Sequence, residues 1–272
     1  MLSFIPTPIG NLGDISFRAL ELLKEGEYIL CEDTRVSKKL LHLFGEKYGI
    51  DFPDFTFFSV HSHNEEKFLT KTNIELLKTK NCIYLSDAGM PCVSDPGAIL
   101  VQYCLQYNIP YDIIPGANAL LTAYANSGFL DTEFTFFGFL PHKGKHRAYK
   151  LQKILNCANL AILYESPHRL LKLLKELNDT IPDQEIFLIK ELTKKYQTRY
   201  KNSVVNIYKL LKDETIKGEW VVIIPSRVST ATHPITLDDI SELSIPPKQK
   251  AKLISKLTGK NIKDIYNSLI NL

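Results

Sequence analysis

Short apolar runs alternate with longer amphipathic segments along most of the chain. Runs rich in β-branched, aromatic and leucine residues predict strands at residues 2–5, 28–31, 55–60, 82–85, 111–114, 134–137, 160–164, 185–189 and 220–224. Between them, apolar residues recur every three or four positions, as from Phe17 to Leu23 after a cap at Asp14 or Ser16. A second such helix follows Pro167, which suits a first helical turn. This alternation predicts an α/β fold with largely parallel sheets.

The predicted strands are too numerous for one small sheet. The strand end at residues 115–117 (PGA) therefore divides two predicted α/β domains, residues 1–116 and 117–228, and a crevice between such halves commonly holds a ligand. Residues 229–272 form a linker and a basic tail. From residue 245 onward this tail has six lysines and one acid, Asp264, and its apolar spacing with Gly259 between segments predicts a small helical appendage.

Composition excludes several classes of protein. Of the 272 residues, 44% are apolar and the net charge is only +3, which is ordinary globular composition without a global preference for polyanions. No apolar run approaches the roughly 20 residues of a membrane span, and the first residues lack the basic region of a signal peptide. The five scattered cysteines predict reduced thiols in a cytoplasmic protein.

Three predicted strand ends carry loops suited to a ligand, because ligands of open α/β sheets gather at the carboxyl ends of strands. These loops are residues 6–13 (PTPIGNLG), 86–91 (SDAGMP) and 115–119 (PGANA). Their glycines and alanines let a ligand approach the backbone, and Asp87 can accept hydrogen bonds from an amine or a ribose. The alternative is a set of tight turns with Asp95 as a helix cap. Neither GxGxxG after a strand nor GxxxxGK[ST] occurs, so the common nucleotide loops are not supported.

Charged residues follow the second and third predicted strands. Glu32, Asp33 and Arg35 can serve as a base, an orienting acid and an anion clamp. Alternatively, Asp33 caps the next helix and Glu32 pairs with Arg35. His61 and His63 have the spacing of two metal ligands, but no third ligand stands out, which favours a hydrogen-bonding or substrate-facing role without a metal.

A basic cluster lies at residues 142–147 (HKGKHR), directly after residues 138–141 (GFLP). Such clusters suit phosphate backbones, whose neutralisation dominates the affinity for nucleic acids. The alternative is a solvated helix face.

Eight motifs occur together in the order typical of a known family. They are PTPIGNLG at residues 6–13, EDTR at 32–35, SDAGMP at 86–91, DPG at 95–97, GFLP at 138–141, YESPHRL at 164–170, ELTK at 191–194 and KGE at 217–219. With these motifs the chain resembles, over essentially its whole length, the ribosomal RNA small-subunit methyltransferase I branch of the tetrapyrrole methylase superfamily.

The resemblance implies two α/β domains with S-adenosylmethionine between them, no metal and a homodimer. It also implies methyl transfer to the ribose 2′-oxygen of a decoding-centre cytidine in 16S rRNA, either free or in the small ribosomal subunit. By position in the motifs, the implied cofactor contacts are Pro8, Asp87, Ala88, Gly89, Met90, Asn118, Ala119, Tyr164, Leu192 and Glu219. The chain departs from the usual family pattern near this cleft, with Met90 for threonine, Ser94 for asparagine, and Ala117-Asn118 for Pro-Cys or Pro-Ser.

Methylation of a ribose hydroxyl needs a group that removes its proton. Glu32, Asp95 and His61 are the candidate bases, in no order, and the candidate phosphate contacts are Arg35, Lys145, Arg147 and Arg169. Two other functions stay open. The same fold can methylate a tetrapyrrole or the diphthamide precursor, and an RNA-binding ribosome assembly factor would need no catalysis.

Overall fold

The computed structural model describes residues 1–61, 63–227 and 235–270. The chain divides into two compact units, Met1–Arg227 and Val228–Leu272. The first unit contains two five-stranded sheets. The predicted domain division after residue 116 falls between the last strand of one sheet and the first strand of the other, and it stays a prediction.

The first sheet is wholly parallel. Its strands are β1 (Leu2–Ile5), β2 (Tyr28–Cys31), β3 (Thr56–Ser59), β4 (Cys82–Leu85) and β5 (Tyr111–Ile113), in the order β3-β2-β4-β1-β5. Parallel strands end at the same edge of a sheet. The loops after all five strands therefore gather at one edge, as predicted.

Helices cover both faces of this sheet. They are α1 (Phe17–Glu25), α2 (Thr34–Tyr48), α3 (Glu65–Phe68), α4 (Lys71–Thr79) and α5 (Ala98–Tyr107). Successive strand residues point to opposite faces, so Ile5 packs with Leu23 and Phe44 on one side while Phe4 packs with Leu77 on the other. Ser16 caps α1 by accepting a hydrogen bond from the Ala19 amide, which decides between the two predicted caps.

The second sheet is mixed, and here the prediction of largely parallel sheets was wrong. Its strands are β6 (Phe134–Phe139), β7 (Leu160–Glu165), β8 (Glu185–Lys190), β9 (Thr198–Ser203) and β10 (Trp220–Ile224), in the order β6-β7-β10-β8-β9. Only β6 and β7 pair in parallel. The connection from β8 to β9 is too short for a parallel crossover, which needs about a dozen residues.

Strand β9 was missed because it contains no apolar run. Its sequence TRYKNS is mostly exposed and lies at the edge of the sheet, where it pairs only with β8. An edge strand with solvent on most sides needs no continuous hydrophobic pattern. All nine predicted strands are confirmed, with ends that differ by at most two residues.

The helices around the second sheet are α6 (Ala119–Ser127), α7 (Gly144–Leu155), α8 (Pro167–Asn178) and α9 (Val204–Leu211). Pro167 stands in the first turn of α8 as predicted, and Leu170, Leu174 and Leu177 are fully buried in the core. This packing fixes the start of α8 directly after the end of β7, where functional residues were predicted.

The C-terminal unit contains the predicted helices. They are α10 (Leu237–Glu242), α11 (Pro247–Thr258) and α12 (Ile262–Ile270). Gly259 ends α11 in the left-handed conformation, with φ of 71°, and lies in the turn before α12. Within the described part of the chain, no helix combines the length and the apolar character needed to cross a membrane.

Candidate functional site

The loops after β1 and β4 pair with each other at the carboxyl edge of the first sheet. The Thr7 amide donates to the Gly89 carbonyl at 3.0 Å, and the Gly89 amide donates to the Thr7 carbonyl at 2.9 Å. Gly89 has φ of 87°, and an added Cβ would lie 3.1 Å from Ile9 Cγ2. Because the left-handed conformation and the close neighbour both favour glycine, this backbone bridge explains the glycine of the SDAGMP motif.

A cavity of about 330 Å³ opens beside this bridge. Its volume is in the range of about 300–1,000 Å³ that is typical of small-molecule sites. Eight of the ten residues that the motifs implied as cofactor contacts line it: Ala88, Gly89, Met90, Asn118, Ala119, Tyr164, Leu192 and Glu219. The tertiary structure thus brings together residues from loops of both sheets around one cavity.

Two implied cofactor residues, Pro8 and Asp87, are not among those that line this cavity. Asp87 lines a neighbouring cleft and accepts a hydrogen bond from the Asp33 amide at 3.4 Å. Burial raises the pKa of Asp87, repulsion from Asp33 adds to the rise, and the hydrogen bond opposes it. Asp87 and Ala88 are consecutive, so the same loop contributes to the walls of both cavities.

Several further lining residues were not among the candidates. They lie in the loops after β1 and β4 and at the adjoining ends of β6, β7 and β10: Ile9, Val93, Ser94, Phe139, Glu165, Ser166, Pro167, Trp220 and Val221. The strand-to-helix turn at residues 164–167 was a sequence signal for part of this set. Trp220 directly follows the KGE motif, whose Glu219 was an implied contact, and the antiparallel register of β10 pairs it with Glu165.

Asp95 is the candidate base that lines the first cavity. Burial raises the pKa of Asp95 to about 6, and repulsion from Glu32 and then Asp87 adds to the rise. It does not cap α5, whose cap residue is Gly97, so the helix-cap alternative is wrong. A carboxylate with a pKa close to the working pH is suited to accept and release protons.

The second cleft contains the other two candidate bases. It has a volume of about 540 Å³ and is lined by Glu32, Asp33, Thr34, Arg35, Ser59, His61, His63 and Asp87. The His63 amide donates to His61 Nδ1 at 3.3 Å, so this ring nitrogen is an acceptor here. Among residues 1–61, 63–227 and 235–270, no three His, Cys, Asp or Glu side chains are arranged to hold a metal ion.

Arg35 lies at the mouth of this second cleft. Its guanidinium donates to both carboxylate oxygens of Asp33, at 3.1 and 2.7 Å, while 89% of its side chain remains exposed. The Arg35 side chain lowers the pKa of Asp33 to about 2. Asp33 also caps α2 by accepting from the Arg35 amide, so Asp33 combines the predicted cap with the pairing that was expected of Glu32.

Comparison with known proteins identifies the family. The model of the Tetrapyrrole (Corrin/Porphyrin) Methylases matches residues 1–207. A ribosomal RNA small subunit methyltransferase I from Campylobacter fetus is 51% identical over 270 residues, which covers 99% of this chain and 100% of that protein. This chain belongs to the ribosomal RNA small subunit methyltransferase I family. A second member, from Helicobacter pylori, is 46% identical over 98% of this chain and 96% of its own length.

Solved structures of other proteins share the fold of this chain. A diphthine synthase has a TM-score of 0.61 at 15% identity and covers 84% of this chain and 90% of its own. A uroporphyrin-III C-methyl transferase from Thermus thermophilus, complexed with S-adenyl homocysteine, has a TM-score of 0.56 at 17% identity, with 82% and 96% covered. At such low identity these likenesses establish the shared architecture alone.

Two of the four candidate phosphate contacts, Arg147 and Arg169, are bound by other groups of the protein. Arg147 is 2% exposed; its Nε and Nη2 donate to the Glu176 carboxylate at 2.7–3.0 Å and its Nη1 donates to the Pro141 carbonyl at 3.1 Å. A phosphate cannot reach a guanidinium that is buried and paired in this way. The expectation that Arg147 contacts RNA therefore does not fit the structure.

Arg169 is also held by protein groups. Its Nε lies 2.9 Å from Glu165 Oε1, its Nη1 donates to the Leu140 carbonyl at 2.9 Å, and only 18% of its side chain is exposed. The carboxylate of Glu165 is completely buried and is flanked by Arg169 and, at 4.0 Å, by Arg147. These arginines orient the end of β7 beside the cavity. Lys145, by contrast, is exposed in the first turn of α7.

Proposed function

We propose that this chain uses S-adenosylmethionine to methylate the ribose 2′-oxygen of a decoding-centre cytidine in 16S rRNA. The observation that carries the proposal is the cavity of about 330 Å³ in a member of the methyltransferase I family, lined by the loop after β4 and the start of α6. The names of the relatives support an rRNA substrate. The 2′-oxygen and the cytidine are the expectations of the motif resemblance.

The residues of the first cavity suit S-adenosylmethionine. Its sulfonium is a cation, and cations are attracted to aromatic faces and to carboxylates. Tyr164 and Phe139, whose ring centroids are 5.7 Å apart, line the cavity together with Asp95. Ala88 and Gly89 line the cavity and, being small, take up little of its volume. We place Asp87 and Pro8 at the edge of this site, with Asp87 as an acceptor for a cofactor amine or ribose hydroxyl.

Asp95 is the base that this arrangement favours. When bound, S-adenosylmethionine supplies an activated methyl group and retains the electron pair of the broken sulfur–carbon bond. Asp95 accepts the proton that the 2′-hydroxyl loses. It lies in the wall of the cofactor cavity, and it is close enough to Glu32 and Asp87 of the second cleft for their negative charges to raise its pKa. Holding donor and acceptor in line can contribute about 7–11 kcal/mol to lowering the barrier.

The second cleft is the proposed place of the target nucleotide. Because the loop after β4 contributes Asp87 to this cleft and Ala88 to the cofactor cavity, a ribose there would lie on the other side of that loop segment from the methyl donor's cavity, close to it. Glu32 and His61 can orient the sugar by hydrogen bonds, and the exposed guanidinium of Arg35 can contact a phosphate. We further expect a cytoplasmic homodimer, as the cysteine content and the family resemblance indicate.

Methyl transfer to purified small ribosomal subunits that lack the mark tests the function. We expect the wild-type protein to transfer the labelled methyl group from S-adenosylmethionine to one cytidine 2′-oxygen and to leave a porphyrin substrate unmodified. Ala119→Phe should abolish cofactor binding in calorimetry and activity, because Ala119 lines the cavity at the start of α6. Ala125→Phe, at an exposed position of the same helix, is the matched control and should bind normally. Labelled porphyrin, or unlabelled rRNA, would contradict the proposal.

The salt dependence of RNA binding tests the two exposed phosphate contacts. Arg35→Ala and Lys145→Ala should each reduce the slope of log K against log salt by about 1, because each removes one phosphate neutralisation. Lys24→Ala is the control, since Lys24 is exposed at the end of α1, just before the amino end of β2 and thus at the opposite edge of the sheet. Unchanged slopes for Arg35→Ala and Lys145→Ala would remove these residues from the RNA interface.

A further inference from the structure

A buried glutamate links the short helix α3 to the loop that walls the cofactor cavity. Glu65 is 3% exposed, and its Oε1 accepts a hydrogen bond from the Gly97 amide at 2.5 Å. Burial raises the pKa of Glu65, repulsion from Glu32 adds to the rise, and the hydrogen bond from Gly97 opposes it. A carboxyl group is costly to bury, so its retention here needs a reason.

The loop that Glu65 contacts is conformationally demanding. Within residues 90–97, Cys92 and Ser94 have φ of 68° and 67°, a region that non-glycine residues adopt only at a cost of about 1–3 kcal/mol. Inside the loop, the Cys92 amide donates to the Pro96 carbonyl at 3.2 Å, the upper end of the usual range, and the Val93 amide donates to the Met90 carbonyl at 3.4 Å, which is longer. Such a loop keeps one conformation only when its surroundings hold it.

Gly97 explains why the anchor comes from another element. It is the cap residue of α5 and has φ of 116°, and an added Cβ would lie 3.1 Å from Cys92 Sγ and 3.3 Å from Tyr84 Cε1. A serine or aspartate cap therefore does not fit there, and Gly97 itself offers no side-chain acceptor. In a capping box, a Glu or Gln three residues into the helix accepts from the amide of the cap residue. Helix α5 has Leu100 at that position, and the Glu65 carboxylate from α3 accepts from the Gly97 amide instead, at the helix end where negative charge is favourable.

Glu65 is connected to the second cleft as well. The Glu65 amide donates to the His61 carbonyl at 3.1 Å, and the His61 amide donates to Asn64 Oδ1 at 2.8 Å. His61 lines the second cleft, while Val93, Ser94 and Asp95 line the first. Glu65 thus connects the two walls, with its backbone amide bound to His61 and its side chain bound to Gly97.

We propose that Glu65 is a positioning residue that holds residues 93–95, and with them Asp95, in place against the cofactor cavity. It need not touch the cofactor or the RNA. This role rests on the proposed function, because it takes the cavity that residues 93–95 line as a methyl-transfer site.

Two substitutions of Glu65 and one neighbour test the role. Glu65→Asp shortens the side chain by one methylene and loses the bond to Gly97, whereas Glu65→Gln retains an acceptor oxygen. Glu66, the next residue of α3, is exposed, so Glu66→Asp is the matched control. Each variant is compared with the wild type by calorimetry with S-adenosylmethionine, by methyl-transfer kinetics and by hydrogen exchange at the Gly97 amide.

We expect Glu65→Asp to raise the Kd and KM for S-adenosylmethionine about tenfold, which is the effect of losing one hydrogen bond to a charged group. Its kcat should fall as well, and the Gly97 amide should exchange faster. Glu65→Gln should recover most of the binding, and Glu66→Asp should equal the wild type. Unchanged exchange and affinity in Glu65→Asp would overturn the proposal, as would a lower melting temperature with normal KM and kcat.

Failure of the proposed function would be visible separately. If the wild type binds S-adenosylmethionine but methylates no rRNA, the substrate is wrong, and the affinities of the Glu65 variants still decide the positioning role. If the wild type does not bind the cofactor, exchange at Gly97 still shows whether Glu65 holds the loop, and normal protection in Glu65→Asp would overturn it.

Discussion

Asp95→Asn lowers the kcat of methyl transfer about 10²–10⁴-fold, the contribution of a positioned general base. Asparagine keeps the size of the side chain and its place in the cavity wall but cannot accept the proton of the 2′-hydroxyl. The measurement is labelled methyl transfer to small subunits at saturating substrate. Glu32→Gln and His61→Ala, in the second cleft, are expected to raise the KM for RNA more than they lower kcat. Near-normal turnover of Asp95→Asn would assign the base elsewhere.

The pH profile gives the same prediction a second readout. Burial raises the pKa of Asp95 to about 6, and a base acts only in its deprotonated form. The kcat/KM of the wild type, which reports groups of the free enzyme, should therefore rise with pH through about 6 and level off above it. In Asp95→Asn this inflection should disappear, whereas in Glu66→Asp it should remain. A profile that keeps its inflection in Asp95→Asn would show that another group is titrating.

Arg147→Ala lowers the free energy of unfolding by about 3–5 kcal/mol, the cost of removing one partner from a buried ion pair. The substitution leaves the fully buried Glu165 without a neighbouring cation on one side and removes the donors to Glu176 and to the Pro141 carbonyl. The change in urea midpoint measures the effect. The substitution should also alter the cavity, because Glu165, which loses a neighbouring cation, lines it.

Lys145→Ala is the matched control for Arg147, two residues earlier on the same helix. Because Lys145 is exposed, its removal should change stability by less than about 0.5 kcal/mol. The two variants thus separate two basic residues that look alike in the sequence. If Arg147→Ala had normal stability and instead flattened the salt dependence of RNA binding, Arg147 would be an RNA contact after all.

The first sheet was predictable because its signals are local. Each of its strands is a short apolar run flanked by turn residues, and helices of the right spacing connect them. In the second sheet, β10 inserts between β7 and β8, and β9 pairs at the edge with a polar sequence. Strand order and direction depend on which distant segments pack together, so the alternation of strands and helices did not reveal them.

The loops of the candidate site were likewise apparent from the sequence. Prolines, glycines and an aspartate at successive strand ends indicated a ligand, and the ordered motifs indicated which family to expect. Eight of the ten implied contacts line one cavity. Five of them follow strands β4 and β5 of the parallel sheet, whereas Tyr164, Leu192 and Glu219 come from the mixed sheet. Trp220, which follows the implied contact Glu219, was missed; its pairing with Glu165 depends on the antiparallel register, which the motifs do not reveal.

By itself, the sequence determined the elements, the ligand-bearing strand ends and the family, because propensity, turn chemistry and motif order are properties of neighbouring residues. Only the tertiary structure decided which charged groups are free to act. It buried Arg147 against Glu176, left Arg35 and Lys145 exposed, and put Asp95 in one cavity but Glu32 and His61 in another. Burial and pairing set the availability and the pKa of a charge, and both depend on residues that lie far apart in the chain.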